Sequence, residues 1–115
     1  MARRDWYCED VLPEKIAVER VYEDDRVLAF RSPQPMAPIH VLVIPKEHVE
    51  SILDPKALDR DLLNSMVRGV QEAARVHDFA GKGFFVRTNV RGEDVTPHMH
   101  WHVLGPGIPP LTGRP

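Results

Sequence analysis

Pro97-His98-Met99-His100-Trp101-His102-Val103-Leu104 places histidine at every second position, with Met99, Trp101 and Val103 between. A β-strand sends alternate side chains to opposite faces, so this spacing lines up three imidazoles on one side. Met99, Trp101 and Val103 then face the other way, toward a packed core. A helix would scatter the same imidazoles around its surface. The stretch predicts a strand with a histidine-lined face.

The preceding segment, Gly83 to Val90, alternates Phe84, Val86 and Thr88 with Phe85, Arg87 and Asn89. It predicts a strand that the loop Arg91–Pro97 returns as the antiparallel neighbour of the histidine strand. Ile39-His40-Val41-Leu42-Val43-Ile44 is almost wholly apolar, as suits a sheet centre covered on both faces. His40 is its one polar residue. Before it, Arg31 to Pro38 holds Pro33, Pro35 and Pro38, which fix φ and remove donors. Such a stiff connection can wall a pocket. Ile16, Val18 and Val21-Tyr22, followed by Val27–Phe30, read as a hairpin turned by Glu23-Asp24-Asp25.

Residues 54–79 predict one long helix, with Asp54 as N-cap and Pro55 at the first position. Leu58, Leu62, Met66, Val70 and Ala73 form its apolar stripe, with Leu63 and Val67 beside it. Gly81 or Gly83 ends it. Trp6, Val11 and Leu12 predict a short N-terminal helix or turn packed on the body. The count is five strands (16–22, 26–31, 39–45, 83–89, 98–104) and one long helix.

A chain of 115 residues, 43% hydrophobic and 28% charged, suits one domain spanning 1–115. Residues 1–14 form an N-terminal arm and 106–115 a proline-rich, irregular tail. A net charge of −2 gives no general attraction to nucleic acid or to an anionic membrane. The single cysteine, Cys8, excludes an internal disulfide and suits a reducing compartment. No leader pattern and no apolar run of spanning length stand in the chain, so a cytoplasmic location is expected.

Three explanations compete for the aligned histidines. A ladder without function is disfavoured, because stacked imidazoles repel when protonated and need partners when buried. A zinc site is the second: His98 with His100 or His102, completed by His40 or His48, leaves a position for water and metal-assisted hydrolysis. The third is phosphoryl or nucleotidyl transfer through a histidine nucleophile. Imidazole is largely unprotonated at neutral pH, and flanking histidines supply donors to the leaving group and the phosphate oxygens.

His98-Met99-His100-Trp101-His102-Val103-Leu104 resembles the signature of the histidine triad (HIT) superfamily, His-φ-His-φ-His-φ-φ with φ hydrophobic. The likeness runs from about Tyr22 to Gly105. It takes in the hairpin Val21–Phe30, then Ser32-Pro33-Gln34, and Ala37-Pro38-Ile39-His40 through Lys46-Glu47-His48. The Hint-like branch is the most similar. The resemblance implies an α+β fold with a five-stranded antiparallel sheet and a homodimer joined through the long helix and fourth strand. It implies that His100 is the nucleophile, forming a transient nucleotidyl-histidine, and that His102 donates to the leaving group or bridging oxygen. His98 would stand behind them, His40 would fix the triad's orientation, and Asn89 would bind phosphate. No metal is required for that chemistry.

The chain departs from the branch at several positions. Ser32 stands where an Asp holds the ribose hydroxyls. The loop before His98 is shorter and carries Glu93, Asp94 and Thr96, of which Thr96 is the best hydroxyl donor to phosphate. Some relatives bind structural zinc through a Cys-x-x-Cys pair, a later histidine and the first triad histidine. The matching positions are Asp5, Cys8, His48 and His98, with Asp in place of one cysteine. The expectation is a hydrolase or transferase for phosphoramidate- or phosphoanhydride-linked purine nucleotides. The alternatives are a non-catalytic nucleotide-binding dimeric module and a zinc-dependent hydrolase.

Overall fold

Asp24 fixes the first reversal of the sheet. Its Oδ1 accepts hydrogen bonds from the backbone N–H of Arg26 (2.7 Å) and Val27 (2.9 Å), an Asx-type turn. This joins β1 (Arg20–Glu23) to β2 (Val27–Arg31). The computed structural model describes residues 4–79, 81–92 and 95–109. Within them β3 (Ile39–Pro45), β4 (Phe85–Arg87) and β5 (Trp101–Gly105) complete a five-stranded sheet. Its order is β1-β2-β3-β5-β4, and every neighbouring pair is antiparallel. β3 is the central strand and is buried along nearly its whole length, as its unbroken apolar run predicts.

The strands are shorter than the sequence pattern suggests, because backbone groups at their ends bond elsewhere. The Met99 N–H reaches Val49 O at 2.6 Å, so β5 begins at Trp101 rather than at His98. The Gly83 carbonyl accepts from the Gly107 N–H at 2.8 Å, and β4 begins at Phe85. On β1, the register shifts between Arg20 and Tyr22. Residues 16–19 therefore do not continue the ladder, although the Glu19 carbonyl still accepts from the Arg31 N–H at 2.9 Å.

The expected helix over 54–79 is two elements. Asp54 caps a 3-10 turn, Pro55–Leu58, by accepting from the Lys56 N–H. Asp59, in extended conformation, then caps α1 (Arg60–Val76) by accepting from Asp61 N–H (3.0 Å) and Leu62 N–H (3.2 Å). Two aspartates five positions apart each satisfy orphan N–H groups, so the chain restarts its helix at the second. Leu58, at the break, is 80% exposed and leaves the apolar stripe, and Val67 is also exposed. The helix ends at Val76 and not at a glycine. His77 turns to extended backbone while its N–H still reaches Ala73 O.

α1 packs on β1, β2 and β3. Its buried residues Leu62, Met66 and Ala73 join Val27, Ala29, Val41, Val43, Met99 and Val103 in one core. Gly69 permits the close approach. A Cβ there would stand 2.8 Å from Val43 Cγ1, nearer than real side chains come. The opposite sheet face, bearing Leu28, Phe30, Leu42 and Ile44, is covered by Tyr7 and Val11 of the N-terminal arm. The arm forms a single π-helical turn, Tyr7–Val11, the short N-terminal element expected from the sequence. The His102 side chain shares this second face with the arm. No helix among the described residues is long and apolar enough to cross a membrane.

Candidate active site

The even-numbered residues of β3 and β5 point to the arm's side of the sheet. His102 lies directly across from Leu42, and His40 from Leu104. His40, His98, His100 and His102 are all buried, and each is held by a partner that settles where its proton sits.

His40 Nδ1 accepts the Met36 backbone N–H at 3.1 Å. In the neutral ring the proton is then on Nε2, which lies 2.9 Å from His102 Nδ1. His102 therefore receives a hydrogen bond at Nδ1 and carries its own proton on Nε2. That Nε2 is buried and has no partner among the described residues. It is a donor awaiting an acceptor. His100 Nδ1 lies 2.7 Å from the His98 carbonyl oxygen, an acceptor only, so Nδ1 carries the proton. The lone pair of His100 is left on Nε2, and His100 lines the cavity described below. His98 Nε2 lies 2.8 Å from the Pro45 carbonyl and donates to it, which turns Nδ1 toward the arm.

Burial disfavours the charged form of His40, His100 and His102. It lowers the affinity of His40 for a proton, with the charges of Arg87 and His100 adding to the effect. It does the same for His100, against a smaller opposing pull from the His98 carbonyl. His102 is pushed down to about 3 by burial and then by His100, His40 and Arg87. The pair His100 and His102 thus offers one free lone pair and one free N–H, with ring centroids 5.0 Å apart.

Both rings line a cavity of about 800 Å³. Its walls come from the proline-rich connection (Ser32, Gln34, Met36), from Thr96, and from the arm (Arg4, Trp6, Tyr7). Trp6 and Tyr7 meet edge to face, and Tyr7 also contacts the rings of His98 and His100. Of the expected ligands, Ser32 and Thr96 are brought to the cavity. Asn89 stands half-buried just past β4 and does not line it. Glu93 and Asp94 lie outside the described residues. Nothing in the sequence pattern singles out Arg4, Tyr7, Gln34 or Met36. Only the adjacent aromatics Trp6-Tyr7, in a segment otherwise read as a packing arm, could have signalled the wall they form.

A second cluster adjoins the first. Asp5, Cys8, His48 and His98 each present a ligand atom, all within 4.8 Å of one another. His98 Nδ1 and His48 Nδ1 lie 2.9 and 2.7 Å from Asp5 Oδ2, and Cys8 Sγ lies 3.3 Å from His98 Nδ1. Burial favours the protonated form of Asp5, yet hydrogen bonds from the Cys8 N–H and from His98 hold it below the usual carboxylate range. Burial, then Asp5, pushes the Cys8 thiol up to about 11. The donor set of one carboxylate, one thiol and two imidazoles fits a tetrahedral zinc, which would draw the thiol proton off. His98, with its other nitrogen tied to a carbonyl, is oriented as such ligands are.

Comparison with known proteins agrees with this architecture. Residues 14–107 match the family model described as HIT domain. The chain is 32% identical over 97 residues to the purine nucleoside phosphoramidase of Escherichia coli K12, covering 83% of this chain and 82% of that one. It is 34% identical over 96 residues to an uncharacterized HIT-like protein of Synechococcus elongatus, covering 83% and 84%. Among solved structures, a histidine triad protein from Clostridium difficile superposes with a TM-score of 0.80 at 33% identity, covering 98% of this chain and 100% of that one. A HIT family hydrolase from Legionella pneumophila gives 0.76 at 32%, covering 89% and 92%.

Proposed function

The chain belongs to the HIT family, and from that premise we propose that it is a nucleotide hydrolase or transferase whose covalent intermediate forms on His100. The observation that carries the reading is the fixed tautomer of that ring. With Nδ1 committed to the His98 carbonyl, the Nε2 lone pair is the one atom positioned to attack phosphorus. In the first step the His100 Nε2–P bond forms and the bond from phosphorus to the bridging nitrogen or oxygen breaks. His102 Nε2–H donates a hydrogen bond to that bridging atom as it takes the electron pair. A departing amine draws its proton from water. In the second step water attacks phosphorus, His100 Nε2 leaves, and the proton of the water passes to solvent.

His40 acts through His102 as a positioning residue, holding the tautomer that keeps a proton on Nε2. The base stacks on the Trp6–Tyr7 wall, and Ser32 bonds a ribose hydroxyl. Thr96 takes the phosphate role; Asn89, off the cavity lining, is left without one. The substrate class is a purine nucleoside phosphoramidate, by likeness to the Escherichia coli relative. Intact mass after brief mixing with adenosine 5′-phosphoramidate tests the reading. A nucleotidyl adduct is expected on the wild type or on His102→Ala. Its absence from both, with no turnover across a panel of nucleotides, would leave only nucleotide binding.

Asp5, Cys8, His48 and His98 would hold a structural zinc, which ties the arm to the strand and takes no part in phosphoryl transfer. Zinc added to metal-stripped protein is expected to raise the melting temperature by several degrees, as a ligand bound only by the folded state does. Cys8→Ser should lose most of that gain. An equal rise in the variant would remove Cys8 from the set. The protein is further proposed to act in a reducing, cytoplasmic compartment and to be a homodimer, its short edge strand β4 meeting a second copy. A single-chain mass in sedimentation would exclude the dimer.

A further inference from the structure

A second groove, of about 460 Å³, opens beside the histidine cavity, and Met36 lines both. Apart from one cation its walls are apolar or backbone, including Phe85 from β4, Leu104 from β5 and Ile108 from the tail. The cation is Arg87. On the sheet it stands directly opposite His102, so both side chains rise from the same face. His102 is flanked by Leu42 of β3 on one side and Arg87 of β4 on the other. The only side-chain partner of the guanidinium among the described residues is the Met36 sulfur, at 3.8 Å, a weak acceptor that uses little of its donor capacity. No carboxylate among the described residues pairs with it or lines the groove. Its charge is felt at the histidines, whose protonation it opposes.

We propose that Arg87 and this groove bind the leaving group, and that Arg87 selects leaving groups bearing an oxyanion. The inference rests on the nucleotidyl-transfer reading of His100 and deepens it. The nucleoside occupies the cavity walled by the arm, and the phosphorus sits at His100. The atom that departs is the one His102 Nε2–H touches, so the rest of the departing group extends past His102, over β4. There it meets an apolar trough with one guanidinium that no carboxylate among the described residues engages, which grips a carboxylate or phosphate by two parallel N–H···O bonds. A departing amine with a small apolar body and a carboxylate, such as an amino acid, matches that lining. A departing amine with a terminal phosphate shares the same chemistry.

Three adenosine 5′-phosphoramidates test it, with glycine, 2-aminoethyl phosphate or glycinamide as the leaving amine. For the wild type, kcat/KM for either or both anionic leaving groups should exceed that for glycinamide by about tenfold, a charge-assisted pair weakened by exposure. In Arg87→Ala the ratio should fall to about one, and Arg87→Lys should restore part of it. Preference for the glycine compound alone assigns a carboxylate, and for the aminoethyl phosphate compound alone a phosphate. An unchanged ratio in Arg87→Ala, or no anion preference in the wild type, overturns the proposal. If none of the three is turned over and no adduct forms, the transfer reading fails on its own account. The affinities of the same compounds then judge Arg87, and equal affinities for all three in the wild type count against it.

Discussion

Replacing His100 with alanine should abolish the nucleotidyl adduct and lower kcat by a factor on the order of 10⁴ or more, as removal of a nucleophile does elsewhere. The cavity, the donor on His102 and the arm all remain, so nucleotide affinity should change little. That split separates chemistry from binding. His102→Ala should behave differently: the adduct still forms, but more slowly, because the leaving atom loses its hydrogen-bond donor while the Nε2 lone pair of His100 is intact. Rapid-quench kinetics on both variants checks the pair. An adduct that persists in His100→Ala would move the nucleophile elsewhere and dismantle the tautomer argument. The His98 carbonyl can only accept, so no protonation of the neutral ring other than Nδ1–H fits the geometry.

Phe30→Ala is expected to have the largest effect on stability, about 3–5 kcal/mol for an aromatic lost from a core. Phe30 is fully buried and sits at the centre of the smaller core, with Tyr7 and Trp6 each 6.4 Å away between ring centroids. Whole domains are stable by only about 5–15 kcal/mol, so this one change removes much of the margin. The arm residues that rest on Phe30 are also the aromatic wall of the cavity, and a destabilised arm should bind nucleotide more weakly. Urea unfolding measures the first effect, and titration with a nucleoside monophosphate under fully folded conditions measures the second. A loss below about 1 kcal/mol would mean that the arm-side core is not a structural unit.

The alternation in His98–Leu104 announced both the strand and the side of the sheet that carries chemistry, because period two has few other causes. Leu28, Phe30, Leu42 and Ile44 show why the arm's importance was harder to see. They alternate with helix-facing residues inside strands that read as uniformly apolar, so nothing local says that two different partners cover the two faces. The role of Tyr7 in the cavity follows from contacts between distant parts of the chain, which composition does not encode. The break at Asp59 is hidden in the sequence because a stripe at helical spacing runs straight through it, and only the second cap shows that the helix restarts. The alternation groups His98 with its neighbours on the histidine face. Its Nδ1 turns to Asp5 because the other nitrogen is taken by the Pro45 carbonyl, a long-range contact with no local signature.

Asp5 and His98 meet across a separation of 93 residues, so two segments far apart in the sequence build the site together. Closing so long a loop costs entropy that only late-forming contacts repay. A growing chain holds no working centre until β5 has emerged and the arm, which precedes it in sequence, has docked upon it. The arm is also the part expected to release most easily, since it rests on one small core and one cluster of polar side chains. Docking of the arm is therefore expected to be a late event of folding, and its release an early event of unfolding.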